Sequence, residues 1–178
     1  MSYLYHFVPK NLQGHVLYPL NQLKDVYPKA YAEHMCKYIG REVVNQNRIP
    51  VLDCLWNDVL HFSAVNPKDI KQALIEAGAD LTSQNSYYQI DPKLLDPKNT
   101  IVWLYSHAEG DHKNKMNPEN FEPYNPETIS KYSVLPQITK KFYRESVAKG
   151  ERLLMHRRIP HILYKDTLNV SNIPVVNL

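Results

Sequence analysis

A chain of 178 residues with 43% apolar side chains is long enough to build a core, since a domain of this size buries roughly two-thirds of the surface that its unfolded form exposes. A net charge of +3 is too small for strong non-specific attraction to nucleic acid over the whole surface, and two cysteines are too few for a disulfide framework. No window reaches the length of a membrane helix and no basic leader precedes Tyr3, so the expectation is one soluble domain over residues 1–178 in a reducing, cytoplasmic setting.

Residues 3–8 alternate as a strand, which Pro9 ends by removing a ladder donor, and a loop is expected after it. The next element is predicted to be a helix over 28–39. Pro28 suits its first turn, Tyr31, Met35 and Tyr38 recur at helical spacing with His34 beside them, and Gly40 can take the left-handed cap. After the break at Arg48-Ile49-Pro50, the stretch Val59-Leu60-His61-Phe62 reads as a buried strand. Asn66-Pro67 then opens a second helix with Asp69 in its first turn, an inner face of Ile70, Ala73, Leu74 and Ala77, and Gly78 as its stop.

Residues 86–90 and 100–106 are predicted strands separated by Asp91-Pro92 and Asp96-Pro97, able to pair as neighbours. Residues 113–132 carry three X-Pro turns and no lasting periodicity, and read as a long loop. A third helix is expected over 136–149 with Ile138 and Phe142 on one face and Gly150 at its end, followed by strands over 152–156 and 161–169. This order predicts an α+β fold with a split, mostly antiparallel sheet and about three helices.

Two stretches carry the chemistry. Leu4-Tyr5-His6-Phe7 places one histidine inside a short aromatic strand. Gly150-Glu151-Arg152-Leu153-Leu154 places a lone acid at the mouth of an apolar segment, and Ile159-Pro160 breaks the basic turn beyond it. Between residues 140 and 166, Lys140, Lys141, Arg144, Lys149, Arg152, Arg157, Arg158 and Lys165 outnumber Glu145, Glu151 and Asp166, which suits either a phosphate or a solvated helix face. Taken only as residues, His6 also reads as a core histidine bonded to a backbone carbonyl, and Glu151 as the partner of Arg152 or Arg157.

These motifs, in the order Tyr5-His6-Phe7, His61-Phe62-Ser63 running into Asn66-Pro67, and late Glu151, resemble the ADP-ribosyltransferase fold. The likeness is to the DNA-thymidine ADP-ribosyltransferase toxins and, more distantly, to the RNA 2′-phosphotransferases. The resemblance implies NAD as the bound nucleotide and two catalytic residues. His6 would hydrogen-bond the nicotinamide ribose, and Glu151 would hold the ribose 2′-hydroxyl and stabilise developing positive charge. It further implies that Tyr5, Tyr31, Tyr38 and Ser63 line the NAD cleft, with Tyr31 or Tyr38 stacking on the nicotinamide, and that Arg41 or Arg48 clamps the pyrophosphate. Position 149 is Lys rather than a second Glu or Gln and the Ser-Thr-Ser type middle motif is absent, which disfavours protein arginine as acceptor and leaves open a nucleic-acid acceptor or no activity.

Two readings stand beside it. His107, Glu109, Asp111 and His112, past a strand end, offer four possible metal ligands, but their spacing matches no strong zinc motif and no metal is favoured. A non-catalytic binding module is the alternative of another class, with tyrosines stacking beside the basic terminal segment on a partner or single-stranded nucleic acid.

Overall fold

The computed structural model describes residues 2–40, 42–81, 84–105 and 116–178. Its elements in chain order are β1 (Leu4–Phe7), β2 (Val16–Leu17), α1 (Leu20–Val26), α2 (Pro28–Met35), β3 (Arg48–Ile49), β4 (Cys54–Leu55), β5 (Leu60–Phe62), α3 (Pro67–Glu76), β6 (Ser86–Ile90), β7 (Thr100–Trp103), β8 (Phe121–Pro123), α4 (Gln137–Lys149), β9 (His161–Tyr164), β10 (Leu168–Asn169) and β11 (Val175–Asn177). The fold is mixed α and β, and every strand ladder among the described residues is antiparallel.

Two sheets form the frame. One has the order β1-β6-β11 and the other β5-β9-β7-β8, while β2 with β10 and β3 with β4 make two short pairs. The frame closes at a single antiparallel bridge between Tyr5 and Ser63, where each backbone N–H donates to the other residue's carbonyl at 2.8 and 3.1 Å. Alternation along β1 puts Leu4 and His6 on one face and Tyr5 and Phe7 on the other. Leu4 is fully buried with Ile90, Phe62, Val102 and Ile162 in a core that draws side chains from both sheets. His6 shares that face nearer the strand end, its ring 5.3 Å from the Phe62 ring.

A second core lies between α3 and α4 and includes Ile70, Leu74, Phe142, Tyr143 and Ile159. The punctuation of α3 is as its sequence indicates. The Asn66 side chain accepts from the Lys68 N–H, Pro67 occupies the first turn, and Gly78 has a left-handed φ of 87°. In α4, Gly150 supplies the left-handed cap with φ 65°, and the Glu151 N–H closes onto the Ser146 carbonyl at 2.9 Å. A third cluster, with Ile49, Val59, Ile101 and Leu163, packs against Trp56 and Trp103.

Several sequence expectations are corrected. Residues 152–156 form no strand. Leu153, Leu154 and Met155 pack as irregular chain against the α3–α4 core, where the Tyr143 hydroxyl takes the Met155 carbonyl that a ladder would have used. β6 and β7 do not pair, because β6 is filled on both edges by β1 and β11, and β7 by β8 and β9. The predicted helix over 28–39 keeps α-helical form only to Met35 and tightens into a 3₁₀ turn at Cys36–Tyr38. The loop expected before it contains α1, a short helix with no buried residue and hence no apolar stripe to reveal it. Four α-helices are therefore present among the described residues, against about three expected. The described part of the expected long loop, 116–132, holds β8 and a 3₁₀ turn at Pro126–Tyr132 that buries Ile129 and Tyr132. Both cysteines are free thiols, Cys36 exposed and Cys54 buried.

Candidate functional site

The candidate site lies where β1 meets β5. The His6 Nδ1 donates to the His61 carbonyl oxygen at 2.8 Å, which leaves Nε2 with its lone pair as a hydrogen-bond acceptor. Burial lowers the pKa of His6, and the positive charge of Lys37 adds to that effect while the His61 carbonyl opposes it. The ring is thereby held neutral.

Two further histidines are built alike. His61 on β5 donates from Nε2 to the Trp56 carbonyl at 3.0 Å, and His161 at the start of β9 donates from Nδ1 to the Ile159 carbonyl at 2.9 Å. Burial pushes His61, His161 and nearby His156 down to about 4, with neighbouring imidazoles adding to the shift. Each of the three carbonyl-bonded rings thus presents one unprotonated nitrogen. Strand pairing brings them together: β9 pairs with both β5 and β7, and its register sets His161 opposite Trp103. The Trp56 ring lies 4.3 Å from His61 and 5.3 Å from Trp103, and Trp103 lies 5.5 Å from His161.

The turn before β5 supplies the polar wall. Asn57 is 2% exposed, accepts from the Tyr38 hydroxyl at 3.0 Å and donates to the Asn45 side chain at 2.8 Å. Asp58 accepts from the Leu55 N–H at 2.7 Å and from Asn21 of α1 at 2.6 Å, which ties the helical arm to this turn. Asn57 thus lines the first of three adjoining cavities and Trp56 the second, while Asp58 lines none of them and braces the turn.

Three adjoining cavities share Lys37 as a lining residue. The first, about 240 Å³, is walled by His6, Tyr38, Asn57 and His61. The second, about 540 Å³, is walled by Trp56, Trp103, His161 and the Arg152 to Arg158 turn, and the third, about 560 Å³, by Phe7, His34, Met155 and His156. Burial lowers the Lys37 pKa, and the charge of Arg152 contributes further. The second cavity therefore carries two like charges, Lys37 and Arg152, of which Lys37 is shared with the other two.

Of the residues singled out from the sequence, His6 and Tyr38 come together in the first cavity. Glu151 is exposed at the end of α4 and lines none of these three cavities, although Arg152 beside it lines the second. Tyr5 lies on the opposite face of β1 from His6, and the buried Ser63 hydroxyl accepts from the Val65 N–H at 3.0 Å, so both serve the seam between the sheets. Tyr31 is half-buried on α2 outside the three cavities, and Arg48 is exposed and ion-paired with Asp53 in the β3–β4 hairpin. Arg41 and the segment holding His107, Glu109, Asp111 and His112 lie outside the described residues. Sequence reading did not select Lys37, Asn57 or Trp103. It read His61 as a strand residue without assigning it to the site and did not select His156 or His161, because nothing local marks strands that pair at long range. Among the described residues no three His, Cys, Asp or Glu side chains are grouped to hold a metal, and no helix is long and apolar enough to cross a membrane.

Comparison with protein-family models, with curated proteins and with solved structures gave no match.

Proposed function

We propose that the protein is an ADP-ribosyltransferase-like NAD-binding protein whose first cavity receives the nicotinamide-ribose end of NAD, with nucleic acid as the acceptor class. The observation that carries this reading is His6: a neutral imidazole with its Nδ1 engaged and its Nε2 free, in a cavity with Tyr38, Asn57 and His61. A free imidazole nitrogen accepts from a ribose hydroxyl, and Tyr38 offers an aromatic face to a flat ring. At about 240 Å³ the cavity suits one end of a dinucleotide rather than the whole, and the adjoining cavities that share Lys37 offer room and positive charge for the remainder. NAD would supply the ADP-ribosyl group to be transferred. In this reading Lys37 and Arg152 attract the pyrophosphate, and the catalytic role that the resemblance gives Glu151 requires its exposed side chain to reach the ribose from outside the three cavities.

The exposure of Glu151 favours a second reading, a nucleotide-binding module without transferase activity. Calorimetric titration with NAD and an assay for released nicotinamide separate the two. Binding with release that Glu151→Gln reduces by a hundredfold or more supports the transferase; binding without release supports the module; no binding removes both.

A further inference from the structure

We propose that the α1–α2 arm is a lid over the first cavity, which opens to admit a ligand and closes a largely apolar stripe upon it. Leu20, Leu23, Tyr27, Ala30 and His34 recur along the arm at spacings of three and four, the period of one helical face, and all five line that cavity. Elsewhere in the fold such a stripe is packed into protein, as α3 and α4 bury Ile70, Leu74, Phe142 and Tyr143 in one shared core. The arm lacks such packing. No residue from 18 to 40 belongs to any of the three apolar cores, α1 has no buried residue, and α2 buries Ala30 alone. Apolar helix surface facing a cavity of about 240 Å³ gains when a ligand fills the space, so the arm and its occupant complete each other.

Polar side chains tie the closed arm to the body. Asn21 of α1 donates to Asp58 at 2.6 Å, Tyr38 beyond α2 donates to Asn57 at 3.0 Å, and Asn11 donates to Glu33 of α2. Such bonds are exchanged for bonds to water at modest net cost, whereas opening the sheets exposes Leu4, Phe62 and Ile162. Opening of the arm is therefore a local event that leaves the two-sheet core intact. The chain is built for it at both ends. The buried Pro19 anchors the start of the arm in extended backbone, and Gly40 ends it with a left-handed φ of 77° and open space where a side chain would stand. His6 and His61 of the sheets line the same cavity, so a closed arm shields from water whatever they hold. That this guest is NAD rests on the function proposed above; the lid rests on the packing of the arm.

Hydrogen exchange of the full chain, followed peptide by peptide without ligand, reads the lid directly. The amides of α1 and α2 should exchange at least about a hundredfold faster than those of β5 and β9. Asn21→Ala, which cuts one tie, should speed α1 and α2 together by about a further fivefold while β5 and β9 keep their rates. In a Cys36→Ser background, Asn21→Cys and Asp58→Cys are then joined by a thiol-reversible cross-linker. NAD should associate with the joined chain at least about tenfold more slowly than after reductant has freed the arm. Exchange in the arm as slow as in β5, or an Asn21→Ala effect confined to α1, would overturn the lid. So would NAD association at an undiminished rate with the cross-linked chain. If NAD binds neither before nor after reduction, the NAD reading falls and the exchange rates alone decide the lid.

Discussion

His6 Nδ1 donates to the carbonyl oxygen of His61, a residue 55 positions away on another strand, at 2.8 Å. One contact thereby joins the two sheets at their seam and fixes which nitrogen of His6 faces the cavity. The same bond makes His6 a satisfied histidine on one side and an available acceptor on the other, so the structural and functional readings of this residue are compatible.

Replacing His6 by Ala removes the free nitrogen and the contact with Phe62 together. NAD binding is expected to weaken by at least about tenfold, or 1.4 kcal/mol, in calorimetric titration, with a smaller loss for His6→Gln, which keeps an acceptor. An unchanged affinity in both variants would remove His6 from the site.

The histidines make the fold acid-sensitive. His61, His156 and His161 titrate near 4 in the folded chain against an ordinary value of 6.5. Between these values the unfolded chain binds more protons than the folded one, so stability is highest above about pH 6.5 and falls as pH drops toward 4. Thermal melts across pH 4–7 should show a progressive fall in Tm. His61→Gln and His161→Gln, lacking a titrating ring, should each flatten the slope, and a Tm independent of pH over this window would refute the assignment.

Thr139 is fully buried and its hydroxyl serves the Arg158 carbonyl. Thr139→Val keeps the shape and leaves that carbonyl without its partner, so a loss of about 1–2 kcal/mol is expected in urea unfolding. Thr139→Ser, which keeps the hydroxyl, should recover most of that loss.

Phe62 is 1% exposed at the centre of the core that spans both sheets, and its ring also supports His6. Phe62→Leu should cost about 1–2 kcal/mol and Phe62→Ala about 3–5 kcal/mol, measured by denaturant unfolding. A cost below 1 kcal/mol for the Ala variant would mean that the two sheets do not share this core.

Local chemistry made much of the frame legible. Asn66, Pro67, Asp69 and Gly78 mark the ends of α3, Gly150 marks the end of α4, alternation marks β1, and a short apolar run marks the buried strand through Leu60 and Phe62, because caps and period depend on residues a few positions apart. Pairing is not local. Nothing near 152–156 shows that the Met155 carbonyl is taken by Tyr143 of α4 instead of a strand, and nothing near His61, Trp103 or His161 shows that a shared partner strand gathers them. The sequence by itself therefore determined the composition of an antiparallel α and β fold and the presence of a histidine strand and a basic turn. Only the tertiary structure decided that His6 would meet Tyr38 and Asn57, that Glu151 would stay exposed at a helix end, and that two tryptophans would face an arginine turn. These contacts depend on long-range burial and ladder register, in which one strand's place is set by hydrogen-bonding groups supplied by distant parts of the chain.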